Sequence, residues 1–259
     1  MEKNCVVVYP IYKAPSSIEL NFLENGIKVN ADFEQVIVAP ESLIINHSFG
    51  ILQKIRIKRF NDRYFEGIEG YNCLMLSKDF YSSFIEFEFM LIHQPDVYLF
   101  KNELAYWCKK DYAYIGAPWF KPEKIGRGKI YGFLHQKIWQ TYLTKKRKNG
   151  WLYNKVGNGG LSLRNIQKAI ETLNKAPLAL INAYIATVSP HYNEDIFWSI
   201  EAPKIIDFKI PKWDEALRFA IEFDPRKAYS FLNQNLPFGC HAPLKHEPEF
   251  WKKFIPILN

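Results

Sequence analysis

The chain has 259 residues, 48% of them hydrophobic, enough to bury one sizeable core or two small ones. Its formal charge is +7 and its pI about 9.0, which favours phosphate-bearing partners without choosing among nucleic acid, anionic lipid and nucleotide diphosphate. No apolar run reaches the roughly 18 residues of a membrane-spanning helix, and Cys5, Cys73, Cys108 and Cys240 lack the spacing of a zinc knuckle or disulfide framework.

In chain order, residues 6–9 form an apolar run of strand length, and 16–24 read as a helix with Ser16 or Ser17 as its N-cap. Residues 35–39 are a second strand, and 55–60 alternate apolar and basic residues as a half-exposed strand does. A helical stretch over 67–84 breaks near Ser77. Strands follow at 90–92 and 97–100, a helix at 101–109 and a strand at 112–116. Residues 117–158 lack periodicity and read as a long excursion, with one helix near 134–143 and a basic run at Lys145–Lys148. A strand at 161–163 and a helix at 165–173 come next. Strand and helix in alternation predict an α/β fold with a mainly parallel sheet flanked by helices. No linker divides the chain, so one domain over 1–259 is expected.

Four motifs carry chemistry, each with a structural alternative. In LIHQPDVYLF a buried strand runs into a polar corner, where Asp96 either holds a divalent cation bridging phosphates or merely turns the chain. VGNGGLSLR packs three glycines into four residues, as a tight turn or as backbone lying against a ligand, with Ser162 and Arg164 at hand for hydroxyl or phosphate. In HYNEDIFW, Asn193 caps a helix whose first turn holds Glu194 and Asp195, either complementing the helix dipole or supplying a general base. His241 in PFGCHAP sits in a Gly- and Pro-bounded turn and could complete a metal site.

Taken in order with GYNCLMLSKDFY and DYAYIGAPW, these motifs resemble a family of uncharacterised bacterial glycosyltransferases of the GT-A type, over roughly residues 55–245. More distantly they resemble inverting galactosyltransferases. The resemblance implies a GT-A-like (Rossmann-like) domain and a cation, Mn²⁺ or Mg²⁺. Asp96 looks like the last Asp of the Asp-x-Asp motif, Gln94 stands where its first Asp would be, and His241 looks like the late metal ligand. Gly159 and Gly160 look like the glycines beside the acceptor and donor sugar. Asp195 aligns with the catalytic base, Glu194 with its neighbour, and Tyr9, Pro10 and Tyr12 with the nucleotide-base site.

The implied activity is transfer of a hexose from a nucleotide diphosphate-sugar, with a UDP-sugar favoured, to a glycan or lipid-linked glycan, with inversion. That activity belongs to the assembly of bacterial surface polysaccharide or lipopolysaccharide. The start MEKNCVVVYP has no signal-peptide layout, so the expected place is the cytoplasm, at the inner face of a membrane. A metal-dependent hydrolase built from Asp96, Glu194, Asp195 and His241 is the alternative, as is an inactive glycan-binding or nucleic-acid-binding protein. No nucleic-acid-binding signature appears, so no nucleic-acid partner is expected.

Overall fold

A computed structural model describes residues 5–119, 152–187, 189 and 191–258. The expected helix near 134–143 and the Lys145–Lys148 run lie outside the described residues.

The chain opens with β1 (Cys5–Pro10), buried along its whole length. Helix α1 (Ser17–Val29) follows, and its N-cap is Ser16 in a capping box: the Ser16 side chain accepts from Glu19 N–H while Glu19 accepts from Ser16 N–H at 2.6 Å. Then come β2 (Glu34–Pro40) and β3 (Arg56–Phe60). The predicted break at Ser77 is an N-cap, dividing α2 (Gly67–Met75) from α3 (Lys78–Ser82). Strand β4 (Phe89–His93) is again buried throughout. It is followed by β5 (Val97–Leu99), α4 (Leu104–Lys109) and β6 (Tyr114–Ile115). Strand β7 (Leu161–Asn165) runs into α5 (Ile166–Lys175), where Asn165 Oδ1 accepts the Lys168 N–H at 2.9 Å as the cap.

The main sheet has the order β3-β2-β1-β4-β7-β6. Strands β3, β2, β1 and β4 are parallel, and β7 runs antiparallel to both its neighbours. Near-continuous apolar strands such as CVVVYP and FMLIH suit this arrangement, because a parallel sheet is covered on both faces. The sequence expectation of a mainly parallel α/β sheet therefore holds.

Strand β5 departs from that sheet. It pairs antiparallel with β9 (Gly239–His241), which pairs in parallel with β8 (Ala220–Ile221), giving a second, three-stranded sheet. Helix α1 lies between the two sheets. Its Leu23 and Ile27 join the main core, and Phe22 joins a smaller cluster with Leu217, Ile221, Cys240 and Trp251.

After α6 (Leu178–Ala186), a short helix α7 (Glu194–Ile196) widens into a π turn over Phe197–Glu201 and ends in α8 (Ala202–Ile205). Phe197 and Trp198 are fully buried, Trp198 between Tyr81 and Phe208. Burying such a ring is worth about 1.5–3 kcal/mol or more. These two rings anchor the segment that carries Glu194 and Asp195. Among the described residues no helix is long and apolar enough to cross a membrane.

Candidate active site

Two cavities open along the ends of β1 and β4. The first, of about 360 Å³, is bordered by Pro10, Tyr12, Phe65, Ile68 and the acids Glu19 and Asp96. The second, of about 310 Å³, is bordered by carboxamides and acids: Asn72, Asn158, Asn193, Asp195, Glu222 and, across from them, His241. Ile68, Tyr71 and Gln94 border both, so the two are neighbours. Among the described residues no lysine or arginine lines either cavity. The excess positive charge of the chain is therefore not on these walls.

Asp96 and His241 meet where the cavities join. β5 pairs Val97 with His241, which sets Asp96 one residue away, and the Ala242 N–H donates to the Asp96 carbonyl at 2.9 Å. Asp96 Oδ1 lies 3.2 Å from His241 Nε2. Burial opposes ionisation of Asp96, but His241 outweighs it and holds the carboxyl below its ordinary range. Burial likewise opposes charging of His241, but Asp96 on one side and Glu222 on the other bring it up to about 10. Nε2 is nonetheless a buried atom without a hydrogen bond. A histidine nitrogen and a carboxylate oxygen 3.2 Å apart at a cavity wall are, once the imidazole gives up its proton, a donor set that fits a divalent cation. No group of three or more His, Cys, Asp or Glu suited to a metal exists among the described residues, so water, or substrate oxygens in its place, would complete the shell.

The glycine turn is organised by Asn158, which has φ +68. Its Oδ1 accepts from Gly160 N–H at 2.8 Å and Leu161 N–H at 3.3 Å. Its backbone N–H donates to Asp195 Oδ2 at 3.1 Å, and its Nδ2 stands 3.1 Å from His241 Nδ1. Asn158 thus bonds the acid through its backbone and packs beside the histidine ring. Gly159 and Gly160 border the second cavity, and protein side chains explain their lack of a Cβ. A Cβ at Gly159 would strike Glu194 Oε1, and one at Gly160 would strike the His241 ring.

Asp195 accepts from Asn158 N–H and, at 2.9 Å, from Ile196 N–H. A position in the first helical turn favours the ionised carboxylate, but here other causes outweigh it. Burial, then the charges of Glu194 and Glu222, push its pKa up to about 7. Asn193 precedes the helix, but its side chain makes no capping bond. Instead Asn72 Oδ1 accepts the Glu194 N–H at 3.1 Å.

Three further expectations change. Arg164 is not free for phosphate: it is 1% exposed and lies with Nη1 2.9 Å from Glu194 Oε2 and Nη2 3.0 Å from Oε1. Its Nε donates to Ser162 Oγ at 3.1 Å and Nη1 to the Tyr81 hydroxyl at 2.9 Å. Glu194 borders the second cavity, yet its carboxylate is taken by that guanidinium. The Tyr9 side chain faces the core, with its hydroxyl donating to Gln35 Oε1 at 2.9 Å, which leaves Pro10 and Tyr12 at the first cavity. Gln94 borders both cavities and presents a neutral carboxamide there.

The sequence reading missed Tyr71, Asn158 and Glu222. Signals for two of them existed: an Asn among glycines, where φ above zero is tolerated, and one acid inside the apolar run FAIEF.

A family described as Protein of unknown function (DUF5672) matches residues 54–241. The chain belongs to the DUF5672 family. That span runs from before β3 to His241, so it includes Asp96, Asn158, Asp195 and Glu222 but not Pro10 and Tyr12. No curated protein matches the chain in sequence. Among solved structures, this DUF5672 chain is similar to an active-site mutant of LgtC, at 13% identity and a TM-score of 0.51, over 91% of this chain and 86% of that one. It is also similar to a glycosyltransferase involved in the glycosylation of the major capsid of PBCV-1, at 10% identity and a TM-score of 0.48, over 96% and 98%. The likeness to LgtC is one of fold, the GT-A-like α/β architecture expected from the sequence.

Proposed function

We propose that this DUF5672 chain is a glycosyltransferase that moves a hexose from a nucleotide diphosphate-sugar, with a UDP-sugar favoured, to a glycan hydroxyl with inversion. The observation that carries this is the contrast of the two joined cavities. A cavity bordered by Pro10, Tyr12, Phe65 and Ile68 suits a nucleoside, and a carboxamide-rich one suits the hydroxyls of a sugar. The diphosphate of such a donor would lie between them, beside Asp96 and His241.

Asp96 and His241 would hold Mn²⁺ or Mg²⁺ there, and the bound cation supplies neutralisation of the charge that builds on the leaving diphosphate. Asp195 takes the proton from the acceptor hydroxyl. The acceptor oxygen forms its bond to the anomeric carbon as the bond to the diphosphate oxygen breaks. With the base on the face opposite the leaving group, configuration inverts. A carboxyl with its pKa near 7 is matched to that task at neutral pH. The acceptor proposed is a glycan or lipid-linked glycan of a surface polysaccharide, as the motif resemblance implies, and the place proposed is the cytoplasm at the inner face of a membrane, where the +7 charge would favour anionic lipid.

The test is a thermal-shift screen of nucleotide sugars with and without Mn²⁺. A donor at a hundredfold its Kd stabilises by about 2.7 kcal/mol, several degrees in Tm. The reading requires a shift with at least one donor that shrinks in chelator, and transfer rather than plain hydrolysis once a glycan is added. No shift with any donor sinks it.

A further inference from the structure

Glu222 is the one acid in the run FAIEF. Its place is set by register. β8 and β9 pair Ala220 with Gly239 and Ile221 with Cys240 in parallel, so the next pair in line is Glu222 with His241. On the other flank, Val97 pairs with His241 and brings Asp96 alongside. The small sheet thus presents acid, imidazole and acid in a row.

Glu222 Oε1 lies 3.0 Å from His241 Nδ1, and its side chain is only 13% exposed. A carboxylate accepts and cannot donate, so Nδ1 is the donor in this pair. The Asn158 amide offers that nitrogen no rival acceptor, because its oxygen is committed to Gly160 and Leu161 N–H and its Nδ2 faces the ring at 3.1 Å. The remaining ring nitrogen, Nε2, is the buried atom without a hydrogen bond beside Asp96.

We propose that Glu222 is a positioning residue: by holding the Nδ1 proton of His241 it turns Nε2 toward Asp96, so that nitrogen and carboxylate meet one cation. This rests on the divalent-cation reading above. Backbone pairing already fixes where His241 sits, so what Glu222 adds is the ring's orientation and the choice of nitrogen. An outer hydrogen-bond partner of a metal-binding histidine commonly contributes about 10–100-fold to metal affinity.

The experiment titrates Mn²⁺ alone into the whole chain and reads free Mn²⁺ by electron paramagnetic resonance. Glu222→Leu keeps the volume and removes the acceptor; Glu222→Ala replaces it should the leucine variant not fold. Either is expected to weaken Mn²⁺ binding by about 10–100-fold. Glu222→Gln, whose amide oxygen still accepts from Nδ1, should recover most of that loss. Cadmium–nitrogen coupling in nitrogen-labelled protein should place the ion on Nε2 in the wild type and the glutamine variant, and on both ring nitrogens in the leucine or alanine variant. Unchanged affinity and sole Nε2 ligation without the acceptor would overturn the proposal. A wild-type chain that binds no Mn²⁺ removes the cation reading itself, and the proposal with it.

Discussion

Behind the Asn158–Gly160 turn the protein is sealed, and in front of it the protein is open. On the sealed side, Arg164 and Glu194 face each other with 2% and 3% side-chain exposure, ringed by Tyr81, Tyr114 and Met75. On the open side, Asp195 borders the polar cavity with Asn158, Glu222 and His241. Glu194 and Asp195 are consecutive, and consecutive helical residues point about 100° apart, so one helical step separates an interior acid from a cleft acid. The interior acid has a full-charge partner. The cleft acid has only backbone N–H groups, and burial raises its pKa. One sequence feature, a pair of acids at a helix start, thus splits into a structural half and a chemical half.

The largest expected effect breaks the chemical half. Asp195→Asn should lower turnover by about 10²–10⁴-fold while donor affinity stays near that of the wild type, because the base touches the acceptor. Wild-type turnover should rise with pH and level off above about 7, where the carboxyl is ionised. Stability runs the opposite way. The folded pKa is raised from 3.8 to about 7, so the folded chain keeps a proton that the unfolded chain gives up, and stability falls as pH climbs through that window. Tm measured at several pH values in both proteins should show this fall in the wild type and a smaller one in Asp195→Asn. A pH-independent difference in Tm between the two would remove Asp195 from the role of a half-buried, proton-holding base.

The next effect breaks the structural half. Arg164→Met leaves Glu194 buried without its cation, which should cost about 3–5 kcal/mol in urea unfolding. Adding Glu194→Gln should return part of that loss, a coupling that a double-mutant cycle reads directly. A phosphate-binding Arg164, as the sequence suggests, would behave otherwise: normal stability and weakened donor binding. The two outcomes separate the ion pair from the sequence expectation.

What could be read from the chain alone follows from which interactions are local. The cap at Ser16, the helix break at Ser77 and the apolar strands β1 and β4 depend on neighbours in sequence, and they were legible. The motif order also pointed to Asp96, His241 and Asp195, which the fold brings to adjoining cavities. Long-range pairing was not legible. Nothing near Arg164 announces that Glu194, thirty residues on, consumes its charge. The strand expected at 97–100 forms, but it joins β9, some 140 residues away, in a second sheet that periodicity could not foresee. Glu222 escaped notice for the same reason, since its partner His241 is reached only through that sheet.

The smallest expected effect tests the hinge between the two sides. Asn158 adopts φ +68, a conformation that costs an L-residue with a Cβ about 1–2 kcal/mol, less for Asn, and costs glycine nothing. Asn158→Ala and Asn158→Gly both lose the Oδ1 bonds to Gly160 and Leu161 N–H, so both should be less stable than the wild type. They differ only in strain, so the glycine variant should be the more stable by about 1 kcal/mol. The same difference should appear in the chemistry. Glycine can keep the turn and with it the backbone N–H that donates to Asp195, a bond that lowers the carboxyl's pKa. Alanine relaxes out of the left-handed region and carries that N–H away from the carboxylate. The midpoint of the pH–rate profile should therefore stay near about 7 in Asn158→Gly and move upward in Asn158→Ala. Equal stabilities and equal midpoints would mean that the turn holds its shape without Asn158, and that Asp195 is positioned by α7 alone.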